Sequence, residues 1–481
     1  MTDSPQDGTL FRVGVVGHTN AGKTSLMRTI ARDAAFGAVS PSPGTTVEVA
    51  SVKLFANDTP RADFRDTPGL EDPIGLLEFI DGLRTDRRDD GPSLIERFLG
   101  TEESRNLFKN ESKALRQART ADLVLYVVDA RDRVLPRHSD EIELLNRCGK
   151  PVLPVLNFVS DAEARVDEWR DALARLGLHA TASFDTVIYE SRDEQRLFEA
   201  MRVLAGDFRD DIDALIKDRR ARRRKSIDRA SRAIAELLVD AAAYLQPVAP
   251  VPADDDALRA ERKRESEQAL QAALREHERL TFHSILAAFE FKTEDAETAL
   301  LECTDGRLGI DLFSKDAIRQ AGFGAVAGAA GGAASGAAID LVLGGMSLGA
   351  ASALGALVGG AFGSSATQTR RLYRRLRGAN DLHAGDLTLK LLMSRSVDLA
   401  RAILRRGHAD EKKVRPEEVA LEKSVLDQVI KALKSARSHP SWSGVGTSPP
   451  HGNDRERSIR RLAALVREQI VPKRPEETQN G

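Results

Sequence analysis

The chain has 481 residues, with 71 basic and 73 acidic side chains and a formal net charge of -2, so overall charge gives no argument for nucleic acid and any basic partner surface must be local. Apolar residues make up 41% and aromatic ones only 5%, which with this length implies about three domains and a largely helical protein outside any nucleotide domain. Cys148 and Cys303 stand far apart without metal-ligand spacing, and the polar start MTDSPQDGTL has no signal-peptide run; neither a disulfide framework nor a zinc site is expected, and a cytoplasmic location is expected.

Residues 10–17 (LFRVGVVG) read as a short buried strand, and 23–32 as a helix opening directly after a glycine-bearing loop. Further strands are expected at 47–55, 61–66, 122–129 and 152–157, with helices at 139–148 and 161–176. Apolar runs of this length alternating with amphipathic helices predict a parallel sheet covered on both faces, a doubly wound α/β domain ending near residue 206. Residues 81–111 are charged, break the alternation, and read as an insertion. Residues 209–245 form one long predicted helix with the basic run KDRRARRRK at 217–225. After the break PVAPVP at 247–252, Asp254, Asp255 and Asp256 offer N-cap chemistry for a second long helix through about 291. Helices are expected again at 370–377, 387–406 and 416–436, then a flexible linker at 438–454 and a short helix at 455–470. The C-terminal region from 207 to 437 is thus mainly α-helical, with a Gly/Ala-rich segment at 320–369.

The loop between the first strand and helix reads Gly17-His18-Thr19-Asn20-Ala21-Gly22-Lys23-Thr24, followed by Ser25, and fits the pattern G-x-x-x-x-G-K-[ST]. Gly17 and Gly22 permit a tight loop whose backbone N–H groups point inward at phosphate oxygens. The helix start adds the positive end of its dipole. Lys23 can reach the β- and γ-phosphates, and the Thr24 hydroxyl can ligate Mg²⁺. Downstream, Asp66-Thr67-Pro68-Gly69 ends a predicted strand. Asp66 there can hold Mg²⁺ through water, and the Gly69 N–H can sense a γ-phosphate. Pro43-Gly44-Thr45-Thr46 lies in a loop before the strand at 47–55. The order of the three motifs points to a GTPase, with GTP and Mg²⁺ as ligands.

The sequence GHTNAGKTSL, PGTT and DTPGLED, in that order, resembles bacterial P-loop GTPases of the Era and TrmE kind, in the translation-factor-related class. It most resembles a bacterial family in which such a G domain precedes an uncharacterised C-terminal domain. The resemblance implies that Thr46 ligates Mg²⁺ and that Asn20 helps bind K⁺ beside the phosphates; loop capping is the other reading of Asn20. The guanine-reading motif of the class is N-K-x-D. Here Asn157-Phe158-Val159-Ser160 stands in its place, with Asp161 one position late. Asn157 fits, Phe158 can stack on the base or fill a core, and Asp161 can read guanine or cap a helix. No Ser-Ala-Lys loop is recognisable near Phe184–Thr186. After the DTPG motif stands Leu70, which cannot orient a water molecule as the Gln of switch GTPases does. Glu71 and Asp72 are the nearest acids, and Glu71 is taken with Lys23 as a catalytic candidate; slow hydrolysis is expected.

Residues 320–369 carry one charge, Asp340, in 50 positions. Gly324, Gly328, Gly332 and Gly336, then Gly355, Gly359 and Gly363, recur at fourfold spacing, which on a helix gives a stripe without side chains. Two readings stand. One is a hairpin at the inner membrane, flanked by Lys315, Arg319 and Arg370–Arg377 and drawn to anionic lipid; the other is a tightly packed soluble hairpin. Three functions follow: a regulatory GTPase acting at the cytosolic membrane surface, an RNA-directed GTPase of the Era and TrmE kind, and a nucleotide-dependent scaffold with little hydrolysis. A homodimer is a further expected partner state.

Overall fold

The structure is a computed structural model that describes residues 10–32, 50–186, 191–252, 255–290, 381–405, 421–447 and 452–471. It divides into two compact units. Among the described residues, unit one extends to Arg222, past the boundary near 206 that composition suggests, and unit two begins at Arg223.

Unit one carries a six-stranded sheet in the order β2-β3-β1-β4-β5-β6. Its strands are β1 (Phe11–Val16), β2 (Ser51–Ala56), β3 (Thr59–Asp66), β4 (Leu123–Asp129), β5 (Val152–Asn157) and β6 (Ala182–Ser183). β4 shows why these residues make a central strand. Leu123, Leu125 and Val127 enter the apolar cluster on one face, and Val124, Tyr126 and Val128 the cluster on the other. Side chains alternate faces along a strand, so a strand buried on both sides reads as an unbroken apolar run. The pairs β1–β3, β1–β4, β4–β5 and β5–β6 are parallel.

The sheet is mixed rather than wholly parallel, because β2 runs antiparallel to β3. Asn57 and Asp58 form the connection with φ of 48° and 61°. A two-residue hairpin of this kind needs positive φ at both positions, and Asn and Asp tolerate it better than other non-glycine residues.

The helices of unit one are α1 (Lys23–Ala31), α2 (Pro73–Gly82), α3 (Gly91–Leu99), α4 (Lys109–Thr120), α5 (Pro136–Arg147), α6 (Val166–Arg175) and α7 (Ser191–Leu204). Residues 81–111, which read as an insertion, are packed into the domain core. They hold α3 and the start of α4, and Leu94, Ile95, Phe98 and Phe108 are buried in the same cluster as Tyr126 and Leu156. Phe79, Phe98 and Phe108 meet with ring centroids 5.7–6.1 Å apart, in the tilted and edge-on arrangements that aromatic quadrupoles favour. Most of the charges that disguise this segment are exposed, Glu111 of α4 being the buried exception.

α8 (Arg209–Ala243) opens inside unit one, where Ile212, Leu215 and Ile216 join the core. Much of its basic run is paired. Arg219 donates to Glu194 (2.8 Å) and to the Ile30 carbonyl (2.7 Å), Arg220 to Glu199 (3.1 Å), and Arg222 to Asp218 (2.7 Å). Arg220 and Arg222 lie on an exposed, ion-paired helix face, whereas the Arg219–Glu194 pair is largely shielded from solvent.

Unit two is helical among the described residues. It packs the later part of α8 with α9 (Asp256–Ala288), α10 (Asp386–Arg405), α11 (Lys423–Ala432), α12 (Lys434–Ser438) and α13 (Asn453–Ile470) around one apolar cluster. Asp255 caps α9 by accepting from the Leu258 N–H at 2.9 Å. Residues 439–447, read from composition as linker, take a defined path through a 3-10 turn at Pro440–Trp442. Trp442 packs on the core, and the Ser443 hydroxyl donates to the Asp240 carbonyl at 3.0 Å. The ring of Pro440 fixes φ for the turn, and the indole supplies apolar area that composition counting overlooks. No helix among the described residues is long and apolar enough to cross a membrane. The Gly/Ala hairpin at 320–369 and the helix expected at 370–377 lie outside the described residues.

Candidate nucleotide-binding site

The carboxyl ends of β1, β3, β4 and β5 converge on the loop between β1 and α1. Gly17 has φ 155° and Gly22 φ 91°. A Cβ on Gly17 would come within 2.2 Å of the Val127 carbonyl oxygen, and one on Gly22 within 2.1 Å of Asn157 Nδ2. Both glycines are therefore dictated by backbone shape and by lack of room. Asn20 also adopts positive φ (68°), so the loop turns back on itself before the helix. α1 starts at Lys23 with no side-chain cap. The N–H groups of its first turn, which include those of Thr24 and Ser25, lack helical partners and suit an anion.

Lys23 is nearly buried, and its ammonium donates to the Gly17 carbonyl (3.0 Å) and the His18 carbonyl (2.8 Å). Two of its three protons thus close the loop. Burial lowers its pKa, while Asp66 and Glu141 pull in the other direction. A cation held this way gains from the arrival of negative phosphate.

Next to it, the Thr24 hydroxyl donates to Asp66 Oδ2 at 2.7 Å. The other oxygen, Asp66 Oδ1, is buried without a hydrogen-bond partner, and burial is the main cause of the raised pKa of this carboxyl. A hydroxyl beside an orphaned carboxylate oxygen is a hard-oxygen donor set that fits Mg²⁺, an ion that keeps water and takes phosphate oxygens as its other ligands. Among the described residues no group of three or more His, Cys, Asp or Glu side chains is placed to hold a metal; the fit is to a metal shared with phosphate. Thr46, the third expected ligand, lies outside the described residues.

Gly69 packs directly on the phosphate loop, since a Cβ there would stand 2.8 Å from Thr19 Oγ1 and 3.0 Å from Thr19 N. The Thr67 hydroxyl donates to the Val15 carbonyl at 2.8 Å and pins this segment to β1. Leu70 is fully buried with Leu76, Ile80 and Phe108. The carboxylate of Glu71 accepts from Asn110 Nδ2 on α4 at 3.0 Å.

At the end of β5, buried Asn157 sews three loops together. Its Nδ2 donates to the Ala21 carbonyl (3.0 Å), and its Oδ1 accepts from Phe158 N (2.9 Å), Thr186 N (3.1 Å) and the Thr186 hydroxyl (3.1 Å). Phe158 has φ 59°, so its ring folds back toward Gly22, with Phe158 Cζ 3.3 Å from where a Gly22 Cβ would be. Phe158 is therefore not a core side chain. The Arg131 guanidinium lies 4.0 Å from the centroid of its ring and is tied to Asp129 by bonds of 2.9 and 2.6 Å. Asp161 is exposed and accepts from the Glu163 N–H at 3.0 Å. α6 begins only at Val166, behind the N-cap Arg165, so Asp161 forms a local turn and does not cap that helix.

Sequence reasoning missed Arg131, Asp185 and Thr186. The Asp185 carboxylate accepts from the Ser160 N–H at 2.9 Å, so an acid does reach the place where the sequence offers only serine. The available signal was the Asp185-Thr186 pair, one residue beyond the end of β6.

Residues 170–464, more than half of the chain, match the model of the family described as Domain of unknown function (DUF3482). The chain belongs to that family. Residues 12–158 match a second model, described as 50S ribosome-binding GTPase, and unit one is a GTP-binding G domain of the P-loop GTPase fold. Similar solved structures include Era in complex with MgGDPNP and 16S ribosomal RNA, at 18% identity and TM-score 0.26 over 37% of this chain and 51% of that one. Aquifex aeolicus Era bound to GDP and AlF₄⁻ matches at 21% identity and TM-score 0.25 over 36% and 50%. The G domain of the T. maritima FeoB iron transporter matches at 19% identity and TM-score 0.24 over 40% and 98%. The chain spans about half the length of the two Era structures. No curated protein matches significantly.

In this family member a polar cluster backs the phosphate loop. Glu141 of α5 is fully buried, accepts from the Tyr126 hydroxyl at 2.7 Å, and stands 3.3 Å from His18 Nδ1. Beside it, His138 Nδ1 accepts the Leu135 N–H at 3.0 Å, a third-position side chain reaching back to cap its own helix. Burial first, then Arg137 and His18, push the His138 pKa down to about 4 from 6.5. The unfolded chain therefore takes up this proton near pH 6.5 and the folded one only near pH 4. The stability from neutral His138 is present above pH 6.5 and is lost as pH falls toward 4. Thermal melts should show a drop between pH 6.5 and 4.5 that His138→Gln, which retains an acceptor, reduces. An equal drop in both proteins would remove His138 as its source.

Proposed function

We propose that this protein is a slow, Mg²⁺-dependent GTPase acting as a regulatory switch. The observation that carries this is the Thr24–Asp66 pair with its orphaned carboxylate oxygen, set beside a lysine that closes an uncapped helix start. In this reading the N–H groups of residues 20–25 and the Lys23 ammonium bind the β- and γ-phosphates. Mg²⁺, held by Thr24, Thr46 and Asp66, supplies charge neutralisation there. The Gly69 N–H senses the γ-phosphate. Asn157 shapes the base pocket, Phe158 covers the base, and Asp161 or Asp185 accepts from the guanine edge. Hydrolysis is slow because the side chain after Gly69 is a leucine sunk in the core and Glu71 is engaged by Asn110. Asn20, exposed in the loop with positive φ, is proposed to help bind a K⁺ ion beside the phosphates, the role its counterpart has in the family it resembles. Action at a membrane surface, through the hairpin at 320–369, is proposed from sequence alone, as are a homodimer and an RNA partner.

The test is displacement of fluorescent GDP from the full chain, with turnover measured in potassium and in sodium salts. GTP should displace the probe at least about tenfold better than ATP, the effect of one guanine hydrogen bond left unmade at a buried acceptor. Turnover should be faster in potassium. Equal displacement by ATP and GTP would sink the assignment to guanine, and equal rates in the two salts would leave Asn20 a loop residue.

A further inference from the structure

The segment after the DTPG motif is gripped by a helix that no nucleotide-site motif includes. Glu111, in the first turn of α4, is 4% exposed. Its Oε1 accepts the N–H of Glu71 at 3.1 Å and the N–H of Asp72 at 3.1 Å. No ion pair reaches this carboxylate among the described residues. A buried charge satisfied only by two consecutive backbone N–H groups is costly to place and strong once placed. The grip is reinforced on both sides. Asn110, the preceding residue on α4, donates to Glu71, and Leu70 is fully buried in the cluster that also holds Ala114 and Leu115 of α4. Upstream of this clamp by two residues stands Gly69, packed against Thr19 of the phosphate loop with no room for a Cβ.

Resting on the GTPase reading above, we infer that Glu111 is a positioning residue for the γ-phosphate sensor. It fixes residues 70–72 to α4, and so sets where the Gly69 N–H points. Gly69 has a freely rotating backbone on neither side: Thr67 is pinned to β1 through its hydroxyl, and Glu71 and Asp72 are pinned to α4 through their amides. Any shift of Gly69 toward a γ-phosphate must therefore be taken up in the Glu111 contacts. By reciprocity, whatever strains or releases α4 changes the affinity for the triphosphate and leaves that for the diphosphate alone. A partner that grips α4 would in this way control the switch.

The experiment compares affinities of the full chain for GDP and for a non-hydrolysable GTP analogue, both with Mg²⁺. Glu111→Ala should weaken the analogue by about tenfold, the scale of a hydrogen bond to a charged group, while GDP binding stays at the wild-type value. Glu111→Gln retains an oxygen that can accept both N–H groups and should stay within about twofold of wild type. A merely structural role would weaken both nucleotides together. That result, or an unchanged ratio in Glu111→Ala, would overturn the proposal. A measurement on the wild type guards against a variant that does not fold: the amides of Glu71 and Asp72 should exchange hydrogen more slowly with the analogue than with GDP. Equal exchange in the two states would also overturn it. Failure of the underlying reading looks different, because Lys23→Ala would then bind nucleotide like wild type, or wild type would not distinguish the analogue from GDP.

Discussion

Replacing Lys23 by alanine is expected to remove nucleotide binding while leaving the G domain folded. The ammonium is the one cation that the loop carries, and it is held nearly buried by the Gly17 and His18 carbonyls with a proton to spare. Truncating one partner of a buried, hydrogen-bonded charge pair costs about 2–5 kcal/mol, a loss of roughly 30-fold to several thousand-fold in affinity. The fold should survive, since the loop is also shaped by Gly17, Gly22 and the Asn157 bond to the Ala21 carbonyl. Calorimetric titration with GDP and Mg²⁺ would check the first point and a thermal melt of the free protein the second. Wild-type affinity in Lys23→Ala would mean that the phosphates bind elsewhere. A collapsed melting temperature would mean that the lysine holds the loop rather than the ligand.

The phosphate side of this site was legible in the sequence because its requirements are local. Eight consecutive residues set the glycine conformations, the helix start and the lysine, and an apolar strand precedes them. The base side was not legible to the same degree. Thr186 and Asp185 follow β6, which has two residues and so no periodicity to read. Arg131 reaches Phe158 from the end of a different strand. Glu111 is one acid in a charged stretch whose sequence looks like an insertion; only the tertiary path of α4 brings it onto the amides of Glu71 and Asp72. The β2–β3 hairpin escaped for the opposite reason. Asn57 and Asp58 make a turn so short that two strands expected to be separate elements of a parallel sheet are one antiparallel pair. In each case the missed information lies in a contact across the fold, or in a segment too short to show a pattern.

The second large effect is expected in unit two, where Asp240 of α8 and Arg455 of α13 are both buried and joined at 2.7 Å. The same guanidinium donates to the Trp442 carbonyl at 2.9 Å, and His277 of α9 stands 3.3 Å from the second carboxylate oxygen. One ion pair thus meets three helices and the 3-10 turn. Arg455→Met keeps the apolar stem and removes the charge, leaving the buried Asp240 carboxylate with His277 but without its guanidinium. Breaking a buried pair from one side costs about 3–5 kcal/mol, whereas replacing both partners by apolar residues of similar size is often neutral or stabilising. Arg455→Met and Asp240→Leu should each lower the denaturant midpoint of this unit sharply, and the double variant should recover most of the loss. Such a result would show that the cost lies in the stranded charge, and that the pair specifies how α8, α9 and α13 register against one another more than it adds net stability. If the two single losses simply add in the double variant, the pair is not coupled, and the packing of Trp442 and α13 must hold the helices together without it.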